Sequence, residues 1–206
     1  TLNAQKGSVV INATYAEPAL VVPAPTIPTG VQATATVTWE VESVTVTNGL
    51  AGHSYTTTTG GATTLTGLGG GATFNITAVG SGQGEVQTIV PVNRGEFTSA
   101  NLNRAVGTFQ IVGGDGNNQA QVKYRVKSIA TNEKGSGYVG TETFSWNDGG
   151  SHSGTMPGAP TVALTTDSGA VGSSTNQENA IVAYGYVDGS REVVDIIRQT
   201  NGRSYK

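Results

Sequence analysis

A ten-residue pattern occurs twice in this chain, and its return limits the fold more than any other feature. The pattern is Ala-x-Val-x-(Trp/Tyr)-x-Val-x-Ser-(Val/Ile). It reads Ala35, Val37, Trp39, Val41, Ser43 and Val44, then Ala120, Val122, Tyr124, Val126, Ser128 and Ile129. Each position of the second copy lies 85 residues beyond its counterpart (120 − 35 = 85). A weaker copy stands between them: Ala72, Phe74 and Ile76, then Glu85, Val86, Ile89, Val92 and Asn93. A period of roughly 40 to 45 residues suits one supersecondary unit that stacks on or pairs with its neighbours. Apolar and polar residues alternate, which calls for strands rather than helices. Each unit is expected to be a pair of strands, 33–40 and 41–47 in the first. No glycine separates those two, so one long bent strand is the alternative.

Composition agrees with many short strands. Charged residues are 12% of the chain and glycine numbers 30 of 206. Threonine, whose branched Cβ fits a pleated surface, is about as common as glycine. Glycine supplies the positive φ of tight turns. The expected fold is all-β, with repeated β-hairpin modules packed as a sandwich or as stacked sheets, preceded by an extended Pro-rich N-terminal arm.

A net charge of −3 speaks against a nucleic-acid partner, because neutralising phosphates requires clustered Lys and Arg. The mild cluster Lys123, Arg125 and Lys127 alternates with Val122, Tyr124 and Val126. It is expected as a solvated sheet face; binding of lipopolysaccharide or of an acidic partner surface is the alternative. No apolar run approaches the roughly 20 residues of a membrane span, so no membrane is expected. The absence of cysteine removes disulfides and zinc–thiolate sites. Thr1-Leu2-Asn3 does not open as a signal peptide does, and synthesis in a bacterial cytoplasm is expected.

Residues 1–30 stand apart. Ser8 to Thr14 reads as one strand, and Pro18, Pro23, Pro25 and Pro28 then forbid regular structure. The segment is either a linker or an arm that adds a strand to a neighbouring subunit. The repeated modules occupy 31–148, divided near 31–55, 56–98 and 106–148. Within them, 56–72 reads as surface loop and edge strand, Pro91 marks an edge or a bulge, and 98–105 admits one helical turn. Residues 149–160 read as a linker. Residues 161–206 carry two strong strands, 179–187 and 191–198, around the hairpin signal Asp188-Gly189.

Chemistry is hard to find in this sequence. His53 and His152 sit in Gly/Ser-rich loops, with Asp148 four residues before the second, and no Gly-x-Ser-x-Gly nucleophile elbow is present. Glu40 and Glu42 flank Val41 but form no recognisable glycosidase pair. Gly113-Gly114-Asp115-Gly116-Asn117-Asn118 offers oxygen atoms suited to calcium, with Asp115 as the carboxylate, yet lacks a second one. A plain hairpin loop without a cofactor is expected there. No catalytic or metal-binding residue is assigned.

Residues 33–146 resemble the Gly/Thr-rich β repeats of structural proteins from tailed bacteriophages, especially those of cyanobacteria. The likeness rests on Val44-Thr45-Val46-Thr47-Asn48-Gly49, on Gly71-Ala72-Thr73-Phe74-Asn75-Ile76-Thr77-Ala78-Val79, and on Gly135-Ser136-Gly137-Tyr138. The tail, Glu178 to Lys206, resembles segments of the same kind of virion protein. The second of the three units departs from the pattern at Pro91 and at Arg94-Gly95-Glu96-Phe97. The resemblance implies a virion component on the outer particle surface, without enzymatic activity. Its partners would be other virion proteins, the major capsid protein foremost, and further copies of itself. As a capsid decoration or cement protein it would use the arm (Val9, Ile11, Tyr15, Leu20, Val22) and the tail (Ile181, Tyr184, Tyr186, Ile197) as contacts. As a tail, collar or fibre protein it would stack a host glycan on Trp39, Tyr124 and Trp146; otherwise these strand aromatics are expected to pack in the core or between sheets.

Overall fold

A computed structural model describes residues 6–49, 54–81, 84–114, 118–138, 142–148, 150, 152–159, 162–165, 180–187 and 190–193, the last three as backbone. Twelve strands run through them: β1 (Ser8–Val10), β2 (Ala19–Val21), β3 (Thr34–Asn48), β4 (Thr73–Val79), β5 (Val86–Asn93), β6 (Phe109–Gln110), β7 (Gln119–Glu133), β8 (Ser145–Asn147), β9 (Ser153–Thr155), β10 (Val162–Thr165), β11 (Ala180–Val187) and β12 (Ser190–Val193). Among the described residues there is no helix, and every strand pairing is antiparallel.

The two strong copies of the pattern are β3 and β7, each one continuous strand of 15 residues, with ends at the same offset (119 − 34 = 85, 133 − 48 = 85). They pair with each other. Trp39 lies opposite Val126 and Val41 opposite Tyr124; Val37 lies opposite Ile129 and Val44 opposite Val122. Each pair has its mirror, so a local two-fold axis relates the strands. The axis passes through Glu40 and Arg125, which are equivalent residues set opposite one another.

Bulges obey the same symmetry. The register slips between Thr38 and Trp39 and again between Val41 and Ser43, leaving Lys127 and Glu42 without a partner. These two are also equivalent (127 − 42 = 85). The cause is in the sequence. Inward residues fall at 35, 37, 39 and 41, then at 44 and 46, a slip of one in a period of two. A one-residue bulge returns the later set to the core face.

The symmetry continues outward. Trp39 and Phe97 exchange both main-chain hydrogen bonds (2.7 and 2.9 Å), as equivalent Tyr124 pairs with Val9. Beyond these, Glu96 donates its N–H to the Gly70 carbonyl at 2.8 Å, while Ser8 lies opposite Thr155. Gly70 and Thr155 again differ by 85. The row therefore runs β9, β1, β7, β3, segment 94–97, Gly70, and its members come alternately from the second copy and the first. Only at the margin does a local hairpin join, where β6 pairs with the start of β7.

The weak third copy is different in kind. It forms the β4–β5 hairpin, a separate two-stranded sheet. Pro91 sits opposite Phe74 beside a register break, as its missing N–H requires. The run 56–72 is largely irregular, yet Leu65 and Leu68 are buried in the core rather than lying on the surface. Thr98 to Leu102 closes a single turn, the Leu102 N–H donating to the Thr98 carbonyl at 3.0 Å. The tail makes the sheet β10–β11–β12, with Val187 opposite Ser190.

One core joins the parts ahead of the tail. Trp39, Phe74, Phe97 and Tyr124 are almost wholly buried, together with Val9, Ile76, Val86, Ile111 and Ile129. Phe97 meets Tyr124 edge-on at 5.3 Å, a geometry worth about 1 kcal/mol beyond area burial.

Candidate interaction surface

The N-terminal segment was read either as a linker or as an arm reaching a neighbouring subunit. Within the described chain it folds back instead. Val9, Val10 and Ile11 are buried in the chain's own core, and Leu20 and Val22 are partly buried against it. β2 pairs with β8, setting Leu20 opposite Trp146. Tyr15 is half-buried beside the turn that Asn12 organises: the Asn12 side-chain oxygen accepts the N–H groups of Thr14 and Tyr15, both at 2.9 Å. Farther on, the Tyr138 hydroxyl donates to the Pro23 carbonyl at 2.9 Å and accepts the Ala33 N–H at 2.8 Å. The Ile27 N–H donates to the Gly137 carbonyl and the Thr26 hydroxyl to Glu142. A turn closed by the Gly30 N–H on the Ile27 carbonyl interrupts this stretch, and Gly137, Tyr138 and Glu142 of the second copy hold it. The run 149–160, expected as a linker, supplies β9.

Of the two readings of the three aromatic residues, core packing is what the structure shows, and the alternative of stacking on sugar finds no open platform. Trp39 and Tyr124 are buried and belong to the core, and Trp146 is partly buried against it, 5.9 Å from Trp39 between ring centres. The cause is simple: both strand aromatics fall on the inward set of the alternation. The Trp39 indole N–H donates to Glu17 at 2.8 Å, and Glu17 also pairs with Arg104 and accepts the Ser99 hydroxyl. The Trp146 indole N–H donates to the Gly158 carbonyl at 2.9 Å. Among the described residues the Tyr124 hydroxyl has no hydrogen-bond partner, and burial pushes its ionisation well above the usual tyrosine range.

The basic row on β7 faces an acidic row on β3. Arg125 reaches Glu40 at 2.6 Å and Glu42 at 2.7 Å, and Lys127 reaches Glu96 at 2.7 Å. Most of the row is therefore internal pairing. Arg94 completes the arrangement by donating from one guanidinium nitrogen to the carbonyls of Val41 and Glu42, both at 2.7 Å, where the bulge turns them outward.

Asp148 and His152 do meet. One carboxylate oxygen lies 2.9 Å from His152 Nδ1 and the other accepts the Gly150 N–H at 2.7 Å. The backbone bond first, and the His152 bond second, hold the exposed Asp148 carboxyl below the usual aspartate value. Among the described residues, no three His, Cys, Asp or Glu side chains gather as a metal ion requires. His53, Asp115 and Ile197 lie outside the described residues, as do the side chains of Ile181, Tyr184 and Tyr186, whose backbone forms β11.

Sequence reasoning missed Glu17, Arg94, Tyr55 and Tyr138 as organising residues. Tyr138 carried a signal, since Gly135-Ser136-Gly137-Tyr138 follows β7 much as Gly52-His53-Ser54-Tyr55 follows β3. Each tyrosine hydroxyl donates to a carbonyl of the opposite copy, Tyr55 to Ile111 at 2.8 Å and Tyr138 to Pro23. Glu17 and Arg94 are isolated in sequence, and nothing local announces their partners. No protein-family profile, curated protein or solved structure matches this chain.

Proposed function

We propose that this chain is a non-enzymatic structural protein of a tailed-phage virion, a capsid decoration or cement protein that stabilises the particle by bridging neighbouring subunits. The observation that carries the reading is the interlaced double-copy sheet. It commits the aromatic and charged side chains of both copies to holding one another, which suits a scaffold that must keep its shape under load. The Gly/Thr-rich repeats that resemble virion proteins point the same way. We read the sheets as stacked layers around the common core. The tail sheet, with Ile181, Tyr184 and Tyr186 on β11, is the contact element toward the major capsid protein. Binding through many copies on a lattice gives avidity beyond any single contact.

Quantitative mass spectrometry of purified particles tests this. Hundreds of copies per particle, in fixed ratio to the major capsid protein, are expected. A dozen copies would move the protein to the neck or tail, and absence from the particle would overturn the assignment.

A further inference from the structure

β1 lies in a sheet made by the other copy. Val9 stands opposite Tyr124 of β7 on one side and Gly154 of β9 on the other. Both neighbours belong to the second copy, whereas β1 leads into the first. The mirror arrangement holds for segment 94–97, which leads into β7 but bonds to β3 at Trp39. Phe97 precedes Tyr124 by 27 residues and Val9 precedes Trp39 by 30 (124 − 97 = 27, 39 − 9 = 30). Each copy thus donates its leading strand to the other.

We infer that the slot between β7 and β9 is a strand-acceptor site that takes residues 7–11 of a second copy of this chain, producing strand-exchanged assemblies. Three features carry this. Residues 7–16 contain no charged side chain, so the slot is filled by main-chain hydrogen bonds and by burial of Val9, Val10 and Ile11. Those contacts are the same whether the strand comes from its own chain or from another.

Glycines then fix the fit. A Cβ on Gly7 would collide with the backbone of Thr155, Met156 and Pro157, and one on Gly154, whose φ is +118°, with the Ser8 carbonyl. The slot therefore selects the sequence Gly-Ser-Val-Val-Ile in a single register.

Lastly, β1 is joined to the body by a tight turn in which the Asn12 N–H donates to the Tyr15 carbonyl at 2.9 Å. Opening that turn frees the strand while the later anchors at 26–33 stay in place. The Lys6–Glu40 ion pair spans 4.0 Å with Lys6 half exposed, and restrains the strand little.

The test uses the full chain, which has no cysteine of its own. Ser8 and Thr155 are opposite one another. Chains carrying Ser8→Cys alone and Thr155→Cys alone are mixed at high concentration and oxidised, and the linked peptides are mapped. Exchange predicts an 8–155 disulfide between chains as the main product, lost when Gly7→Ala is added to the Ser8→Cys chain. A statistical mixture with 8–8 and 155–155 products, or one unaffected by Gly7→Ala, would overturn the proposal. The double variant in one chain is the control for the slot. If it closes within the chain while the mixed chains stay unlinked, β1 serves its own chain alone and the inference fails. Failure here leaves the particle copy number untouched, so the virion reading is judged separately.

Discussion

Glu40 and Arg125 hold the same position in the two copies of the repeat, and they face each other across the axis that relates those copies, 2.6 Å apart. At such a point an identical pair would meet its own charge. The chain places opposite charges there, so β3 pairs with β7 and is discouraged from pairing with a second β3. Both side chains are largely shielded, with exposures of 13% for Glu40 and 20% for Arg125, so the charges are felt more than at an open surface.

Charge reversal should therefore be costly and non-additive. E40R sets two guanidinium groups face to face, and R125E sets a third carboxylate beside Glu40 and Glu42. R125E is expected to lose more, because Arg125 serves both glutamates. Each single change should destabilise by about 1–3 kcal/mol, with the double variant recovering at least about 1 kcal/mol of the summed loss. Urea unfolding of the four proteins in the cycle measures this. Strict additivity would mean that the pair does not set the register.

Tyr124 and Tyr138 should respond in opposite ways to loss of a hydroxyl. The Tyr124 hydroxyl is buried without a partner among the described residues, a cost that folding carries. Tyr124→Phe is expected to be neutral or stabilising by about 1 kcal/mol. The Tyr138 hydroxyl joins Pro23 and Ala33. Tyr138→Phe should destabilise by about 1–3 kcal/mol, since the Ala33 N–H loses its acceptor in a buried place. Thermal unfolding of the two variants gives the comparison directly.

The strand character of both copies, and of the tail hairpin, was legible because alternation of period two survives in a single sequence. So was the edge or bulge at Pro91. The slip from 41 to 44 was also present, and it is what joins two expected strands into the single bent β3. What the sequence did not disclose was which strand lies beside which. Copies 85 residues apart look equally able to stack in parallel modules or to interlace, and the choice rests on Phe97 filling the edge of β3, Val9 that of β7 and Gly70 that of segment 94–97. The core place of the strand aromatics was legible from the same alternation, while their alternative as glycan platforms was not supported. Trp39 and Tyr124 were visible as a matched pair, but the match reflects a shared core position rather than a shared ligand.

Acid should release the loop at 148–152. The Asp148 carboxyl is held below its ordinary value by the Gly150 N–H and then by His152. A carboxyl whose folded value is lowered stabilises the native loop above the unfolded value and loses that contribution as pH falls through the folded one. The expected outcome is an Asp148 carboxyl resonance that titrates below 3.8 in NMR, with the Gly150 amide shifting alongside it. Asp148→Asn should abolish the pH response of that amide. Titration at or above the ordinary value would show that the contact does not persist in solution.

Arg94 is the bulge's main support, and its removal should be felt at the bulge before the rest of the sheet. Its guanidinium satisfies the Val41 and Glu42 carbonyls, while its own carbonyl accepts the Val41 N–H at 2.9 Å. A bulge turns carbonyls out of the ladder, and those left partly shielded from water need a donor. Arg94→Ala should destabilise by about 2–3 kcal/mol, because hydrogen bonds to charged donors are the stronger kind. Arg94→Lys keeps the charge but presents a point donor on a flexible stem, so it should recover only part of the loss. Hydrogen exchange is the informative readout. Amides from Val41 to Val44 should lose protection in Arg94→Ala while those of the equivalent run, Val126 to Ile129, keep theirs, because the equivalent bulge at Lys127 leans on Glu96 instead. Uniform loss across both strands would mean that Arg94 supports the whole sheet rather than one of its two bulges.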